Sequence, residues 1–311
     1  MTALRRWVFD PVDTTPMAAL RIACALLTLG WTLSLLPDAQ AFLSDKGLTS
    51  GAVGGTAGWW TVDVTSPYAA CALLIAAALA LLVGWHTRVA ALAVFLGLLV
   101  LQRRDVYVLN SGDLLLRELA FYVALMPAGE VWSLDARRHE PEPRAPWGLR
   151  LLQLQISGVY LFSVVAKLHG TSWQNGTAVG KALQLDDLQR IVVPQWAATS
   201  VTVSALMTYG TLVAEGFLVF GLWFPRTRWK AMAAGVAIHL GIEATLLIGW
   251  FSLTIISCYL AFVPAPVLHQ LRERLRRPAR MATSHVDEKE QPSAGPEGDL
   301  VPRDRRRVGP G

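Results

Sequence analysis

MAALRIACALLTLGWTLSLL, residues 17–36, is a twenty-residue run with one charge, Arg21. As a helix it is about 30 Å long, the thickness of a bilayer's hydrocarbon core. Asp10, Pro11 and Asp13 stand just before it, and the run is too long for the apolar core of a cleavable leader. It therefore reads as a retained membrane helix.

Seven further stretches repeat this pattern: 68–85, 89–102, 112–127, 149–168, 199–223, 230–248 and 250–267. The runs at 89–102 and 112–127 are short for a span and suit buried or tilted helices. The last two are separated only by Gly249 and its neighbours, which predicts a very tight turn. Of the 311 residues, 53% are hydrophobic and 16% charged, against about 25% charged in a soluble domain. The expected fold is all-α, a polytopic membrane bundle of about eight transmembrane helices.

Positive charge sets the expected orientation. With the N-terminus inside, the inner segments hold Arg5, Arg6, Arg88, Arg137, Arg138, Arg144, Arg226, Arg228 and Lys230, then an arginine-rich tail. The outer segments hold Lys46, Lys181 and Arg190, with Arg103 and Arg104 running against the trend. The bias places both termini in the cytoplasm and the protein in the cell membrane as a multi-pass chain. The organisation is then a cytoplasmic N-terminus 1–16, a transmembrane domain 17–268 and a basic, largely disordered cytoplasmic tail 269–311. The net charge of +5 carries no nucleic-acid signature. Cys24, Cys71 and Cys258 lie inside apolar runs without metal spacing, so no metal is expected.

Two outer loops are long. Residues 37–67 hold GAVGG and Trp59–Trp60, and residues 169–198 hold Trp173 and Trp196 around KALQLDDLQRIV. The latter piece is expected as a short helix on the membrane surface. The inner loop EPEPRAP is expected to be extended.

Ionisable groups in membrane helices are costly and point to function. Asp113 and Arg117 share a helix face at four-residue spacing and can pair, while Gly112 beside them allows close approach of a backbone or ligand. His239 and Glu243 have the same spacing, so Glu243 can orient the imidazole, although a buried histidine bonded to a neighbouring helix is the simpler reading. Glu215 suits an interhelical hydrogen bond toward the inner side of its helix. Arg21 near the inner end suits snorkelling. Lys167 stands at a helix end, where snorkelling competes with an amine held in a dry pocket that disfavours the ammonium. All but Glu215 and Arg21 fall in the outer half of the bundle, so one shared pocket can hold them.

Three segments together carry a family pattern: GDLLLRELAFYVALMPAGEVWSLDARR from Gly112, YLFSVVAKLHGTSWQNGTAV from Tyr160 and IHLGIEATLLIGWFSLTIISCYLAFV from Ile238. Their order and spacing resemble the HTTM family, bacterial membrane proteins related to vitamin K-dependent gamma-glutamyl carboxylase. In the carboxylase, the lysine of a K-L pair preceding W-x-x-G deprotonates reduced vitamin K, and Lys167 matches it in AKLHGTSWQNG. The hydroquinone anion reacts with oxygen to give a stronger base, which removes a gamma proton from glutamate before carbon dioxide adds. The resemblance implies catalytic roles for Lys167 and His239. It implies a pocket with Asp113, Arg117, Glu243 and Trp173 for reduced menaquinone or a related lipid quinone. Where the animal enzyme has a histidine, this chain has Gly112 and Asp113, and it lacks the large lumenal domain. Two functions follow as expectations. One is a quinone-dependent enzyme acting on an exported peptide or small molecule. The other is a non-catalytic membrane protein for maturation, export or immunity of a secreted peptide. A transporter is disfavoured, since no two halves repeat.

Overall fold

The computed structural model describes residues 2–44, 47, 66–104, 110–138 and 140–275. The expectations for GAVGG, for Trp59–Trp60 and for the tail from residue 278 lie outside them. The chain divides into residues 1–268 and 269–311, and the described part of the second unit, 269–275, is helical.

All eight apolar stretches are helical, and no strand occurs among the described residues. The helices are α1 (Thr15–Leu35), α2 (Pro67–Val83), α3 (Thr87–Arg104), α4 (Ser111–Leu125), α5 (Trp147–Leu168), α6 (Val201–Gly221), α7 (Arg228–Thr245) and α8 (Phe251–Cys258). A 3-10 turn, Tyr259–Phe262, continues α8. Among the described residues, three helices are long and apolar enough to cross a membrane: α1 with its continuation to Leu43, α5 and α6. The count rises to four if Phe251–Phe262 and Ala265–Leu275 form one broken span.

Local chemistry fixes the helix ends. At α4 the Asn110 side chain accepts from the Gly112 and Asp113 amides at 2.7 and 3.1 Å, while Asp113 accepts from the Asn110 amide at 3.0 Å. This reciprocal cap satisfies amide groups that a helix start leaves open. At α3 the cap comes from far away in sequence: Asp135 accepts from the His86 and Thr87 amides and the Thr87 hydroxyl. The expected tight turn between α7 and α8 is present, with Gly249 at φ +68°, a conformation that suits glycine.

Helices α1 to α4 pack in sequence with α8 against α1 and α4, and α5 to α7 form a second group. The loops segregate to two ends of the bundle. At one end Val12 bridges Arg144, Arg144 reaches Glu130, Arg150 donates to the Trp7 carbonyl, and Asp135 caps α3. At the other, Trp250 donates to Ser34 at 3.2 Å, Arg104 donates to the Leu43 carbonyl, and Arg190 pairs with Glu243. The EPEPRAP segment is non-helical through Pro146 and carries the Arg144 bridge, as expected of an extended stretch.

Two expectations are corrected here. KALQLDDLQRIV forms no surface helix of its own. Its start ends the short helix Ala178–Ala182, a 3-10 turn covers Asp186–Leu188, and the chain then runs alongside Leu246, with the Leu247 amide donating to the Leu188 carbonyl. Two successive aspartates and that neighbouring backbone divert the chain from helix. Arg21 does not snorkel. It is fully buried, and its guanidinium donates to the Trp132 carbonyl at 2.5 Å. The loop after α4 folds back over the α2–α3 turn, with the Leu134 and Asp135 amides on the Val83 and Gly84 carbonyls, and so covers the arginine.

Candidate functional site

The site grows from one face of α5. Tyr160, Ser163 and Lys167 stand three and four residues apart, so they lie in a row on the helix surface. Opposite them are Glu215 from α6, His239 from α7 and Tyr259 beyond α8.

Lys167 is not a surface group. Its ammonium forms an ion pair with the Glu215 carboxylate and donates to the Ser163 hydroxyl at 2.8 Å. Ser163 in turn donates to the second Glu215 oxygen at 3.2 Å. The Trp173 ring centroid lies 5.0 Å from the Lys167 nitrogen, so the indole face covers one side of the cation. The side chain of Glu215 is 8% exposed and that of Lys167 20%. Such a pair holds only when each charge is compensated by its partner.

One turn and more toward the other end, the Tyr160 hydroxyl bonds His239 Nε2 at 2.9 Å and also bonds the Tyr259 hydroxyl. His239 is 2% exposed and packs edge-on against Phe251. Its Nδ1 is buried without a hydrogen-bond partner. Tyr160 and Lys167 stand two turns apart on α5, so the two clusters share that helix face.

The remaining sequence candidates lie elsewhere. Asp113 caps α4 and accepts from the Trp31 indole at 2.7 Å. Arg117 makes no pair with it and instead donates to Gln102 at 3.2 Å, because the Asp113 carboxylate is already engaged by the cap and the indole. Glu243 does not orient His239. It pairs with Arg190 of the α5–α6 connection at 2.5 Å, and the imidazole turns to Tyr160 instead. Asp113, Arg117 and Glu243 thus make no hydrogen bond or ion pair with Lys167, Glu215 or His239. Gly112 does allow a close approach, that of a backbone: an added Cβ would lie 2.5 Å from the Phe251 nitrogen.

Tyr160 and Tyr259 escaped sequence reasoning because tyrosines in apolar runs look like ordinary packing. A cavity of about 780 Å³ lies along α6, lined by Leu206, Tyr209, Gly210, Val213 and Phe217. At 100° per residue these positions are on the opposite side of α6 from Glu215. The cavity is therefore an outward apolar groove, separate from the Lys167 unit.

The residues that build these helices fall within a known family pattern. The model of the HTTM domain matches residues 9–266. The chain belongs to the HTTM family. The HTTM match spans the whole helical bundle, including Lys167, Glu215, Tyr160, His239 and Tyr259. No curated protein and no solved structure matches the chain. Helices of membrane-spanning length within an HTTM domain identify a membrane protein.

Proposed function

We propose that this HTTM protein is a multi-pass membrane enzyme of carboxylase-like chemistry in which the Lys167–Glu215 pair handles a proton for a lipid quinol. The observation that carries this reading is that Lys167 turns inward onto Glu215, where snorkelling would send it to the headgroups. The chemistry of the residues fits such a group. Lys167 is a base beside a carboxylate, and the orphaned His239 Nδ1 is a buried group in need of a hydrogen-bonding oxygen. Lys167 and His239 would hold the quinol oxygens, and Trp173 would bound the site. A reduced quinone, when bound, supplies an acidic hydroxyl and reducing power toward oxygen.

Lys167 and Glu215 together carry one shared proton between amine and carboxylate. Passing it to Glu215 leaves a neutral amine, and that amine can take a hydroxyl proton. With a quinol bound, the pair would then carry one net positive charge, which would stabilise negative charge beside it in a medium of low dielectric. Ser163 follows the proton by accepting from Lys167 and donating to Glu215. Tyr160 and Tyr259 fix the His239 ring so that Nδ1 stays aimed away from them.

A second reading, a non-catalytic partner of a secreted peptide, is favoured by the outer segment. There Val192 is 89% exposed and Trp196 69%. One experiment separates the two. The protein is purified in detergent, bound lipid is identified by mass spectrometry, and quinol consumption is followed. The enzyme reading expects a co-purifying quinone and loss of turnover in Lys167→Ala, with the helical fold retained at reduced stability. Full function in Lys167→Ala together with loss in Val192→Ser or Trp196→Ser would overturn it in favour of the partner reading.

A further inference from the structure

The segment after Lys167 begins well short of the N-terminal end of α6. Ser157 on α5 bonds the Trp223 indole, and Ser163 and Lys167 meet Glu215. The C-terminal end of α5 therefore meets the last third of α6. Residues 201–214 of α6 run on past it for about 20 Å of helix. Helices α6 and α7 form a hairpin through 222–227, so this overhang runs alongside α7 toward the end where Arg190 meets Glu243.

Residues 169–184 fill the space beside the overhang. Ser204 and Thr208 of α6 both donate to the Gly176 carbonyl, and their hydroxyls accept from the Gly180 and Val179 amides. Tyr209 donates to the Gln174 carbonyl at 2.8 Å, and the Gln184 amide donates to the carbonyls of Gly180 and Ala198. An added Cβ at Gly176 would lie 3.1 Å from the Ala205 Cβ. Irregular backbone at membrane depth is tolerated only when its polar groups are met by protein or when it lines water. Side chains of α6 and the segment itself meet these groups.

The segment's other edge is polar and open. His169, Thr171, Gln174, Asn175 and Lys181 are all exposed. Level with them, on the outward side of α6, Leu206 is 70% and Val213 73% exposed, as suits a face toward lipid. Polar groups cannot face hydrocarbon at the height where leucine and valine do.

We propose that residues 169–184 are a re-entrant segment that lines a water-filled vestibule leading from the outer face down to the Lys167–Glu215 pair. The vestibule admits a polar reactant from the outer aqueous phase, with Trp173 and the pair at its floor. The segment's depth and hydration stand on the packing alone, and the meaning of its floor as a catalytic site rests on the proposed function.

The test is cysteine accessibility in sealed vesicles with the outer face outward, using a charged, membrane-impermeant methanethiosulfonate. Single cysteines are placed at Asn175, Thr171 and Leu206, in the full chain, whose own cysteines are buried. The thiolate is the reacting species and needs water, so Asn175→Cys should react at least about tenfold faster than Leu206→Cys. Thr171→Cys should react more slowly than Asn175→Cys but faster than Leu206→Cys. Equal fast labelling of Asn175→Cys and Leu206→Cys would place both outside the membrane and overturn the re-entrant assignment. Equal failure of both would overturn the vestibule. Neither outcome touches the turnover test of Lys167→Ala, so the two proposals fail separately.

Discussion

At the scale of single residues, the pairings came from outside each residue's own helix. Local spacing offered Asp113 with Arg117 and His239 with Glu243, and neither pair forms. Asp113 goes to Trp31, 82 positions away, His239 to Tyr160, 79 away, and Lys167 to Glu215, 48 away. A sequence displays the four-residue register of one helix but not the relative height of two helices. That is why Glu215 was legible as an interhelical partner while Lys167 was not legible as the group it meets. The Lys167–Glu215 pair makes a stability prediction of its own. Glu215→Gln strands the ammonium and Lys167→Met strands the carboxylate, each at a cost of about 3–5 kcal/mol. The cost should fall at the lower end, because Lys167 keeps 20% of its side chain exposed. The double variant Lys167→Met/Glu215→Leu leaves no uncompensated charge and should regain most of the loss while remaining inactive. Apparent melting temperatures in detergent read this directly. A double variant as unstable as the sum of the singles would show that the pair acts through shape rather than charge.

At the scale of elements, the eight apolar runs were legible because a membrane helix must satisfy its own backbone, which forces a long uninterrupted pattern. The helix ends were less so. Asn110 before SGD is a recognisable cap, and the structure bears it out. The cap of α3 could not be seen, since Asp135 arrives from a loop nearly fifty residues later. That cap has a pH signature. Burial alone would raise the Asp135 carboxyl, but the hydrogen bonds from Thr87 and His86, with the charge of His86, outweigh it and hold the group below the usual carboxylate range. A group lowered in the folded state stabilises above its unfolded value, about 3.9, and that contribution is lost as the pH falls through the folded value. Asp135→Asn should therefore melt below the parent protein at pH 7, and the gap should narrow once the pH drops below about 4. A gap independent of pH would mean that Asp135 acts through its shape in the cap, since the amide keeps one acceptor oxygen. The overhang of α6 past α5 is the element-scale feature that no sequence pattern carried. It follows from side-chain contacts between the two helices, and it turns an expected surface loop into a segment packed alongside α6.

At the scale of the whole molecule, the loop packing sorts the loops to two ends, and the charge pattern predicts which end is cytoplasmic. Three of the segments expected inside are hydrogen-bonded at one end of residues 1–268: 2–14 through Val12 and Trp7, 84–88 through Asp135, and 126–146 through Arg144 and Glu130. The segments expected outside meet at the other end, through Ser34 with Trp250, Arg104 with Leu43 and Arg190 with Glu243. If every one of the eight helices crosses, an even number of crossings returns the chain to its starting side, and the positive bias makes that side the cytoplasm. The prediction is that alkaline phosphatase fused at residue 275 is inactive, while a green fluorescent protein at the same position is bright. Phosphatase fused after Trp196 should be active. An active phosphatase at residue 275 would mean either that the whole bundle is inverted or that the number of crossings is odd, the latter requiring one of the short helices α2, α3, α4, α7 or α8 to turn back within the bundle. The fusion after Trp196 then decides the orientation of the site itself. An inactive enzyme there would put the polar edge of 169–184, and the reactant it admits, on the cytoplasmic side.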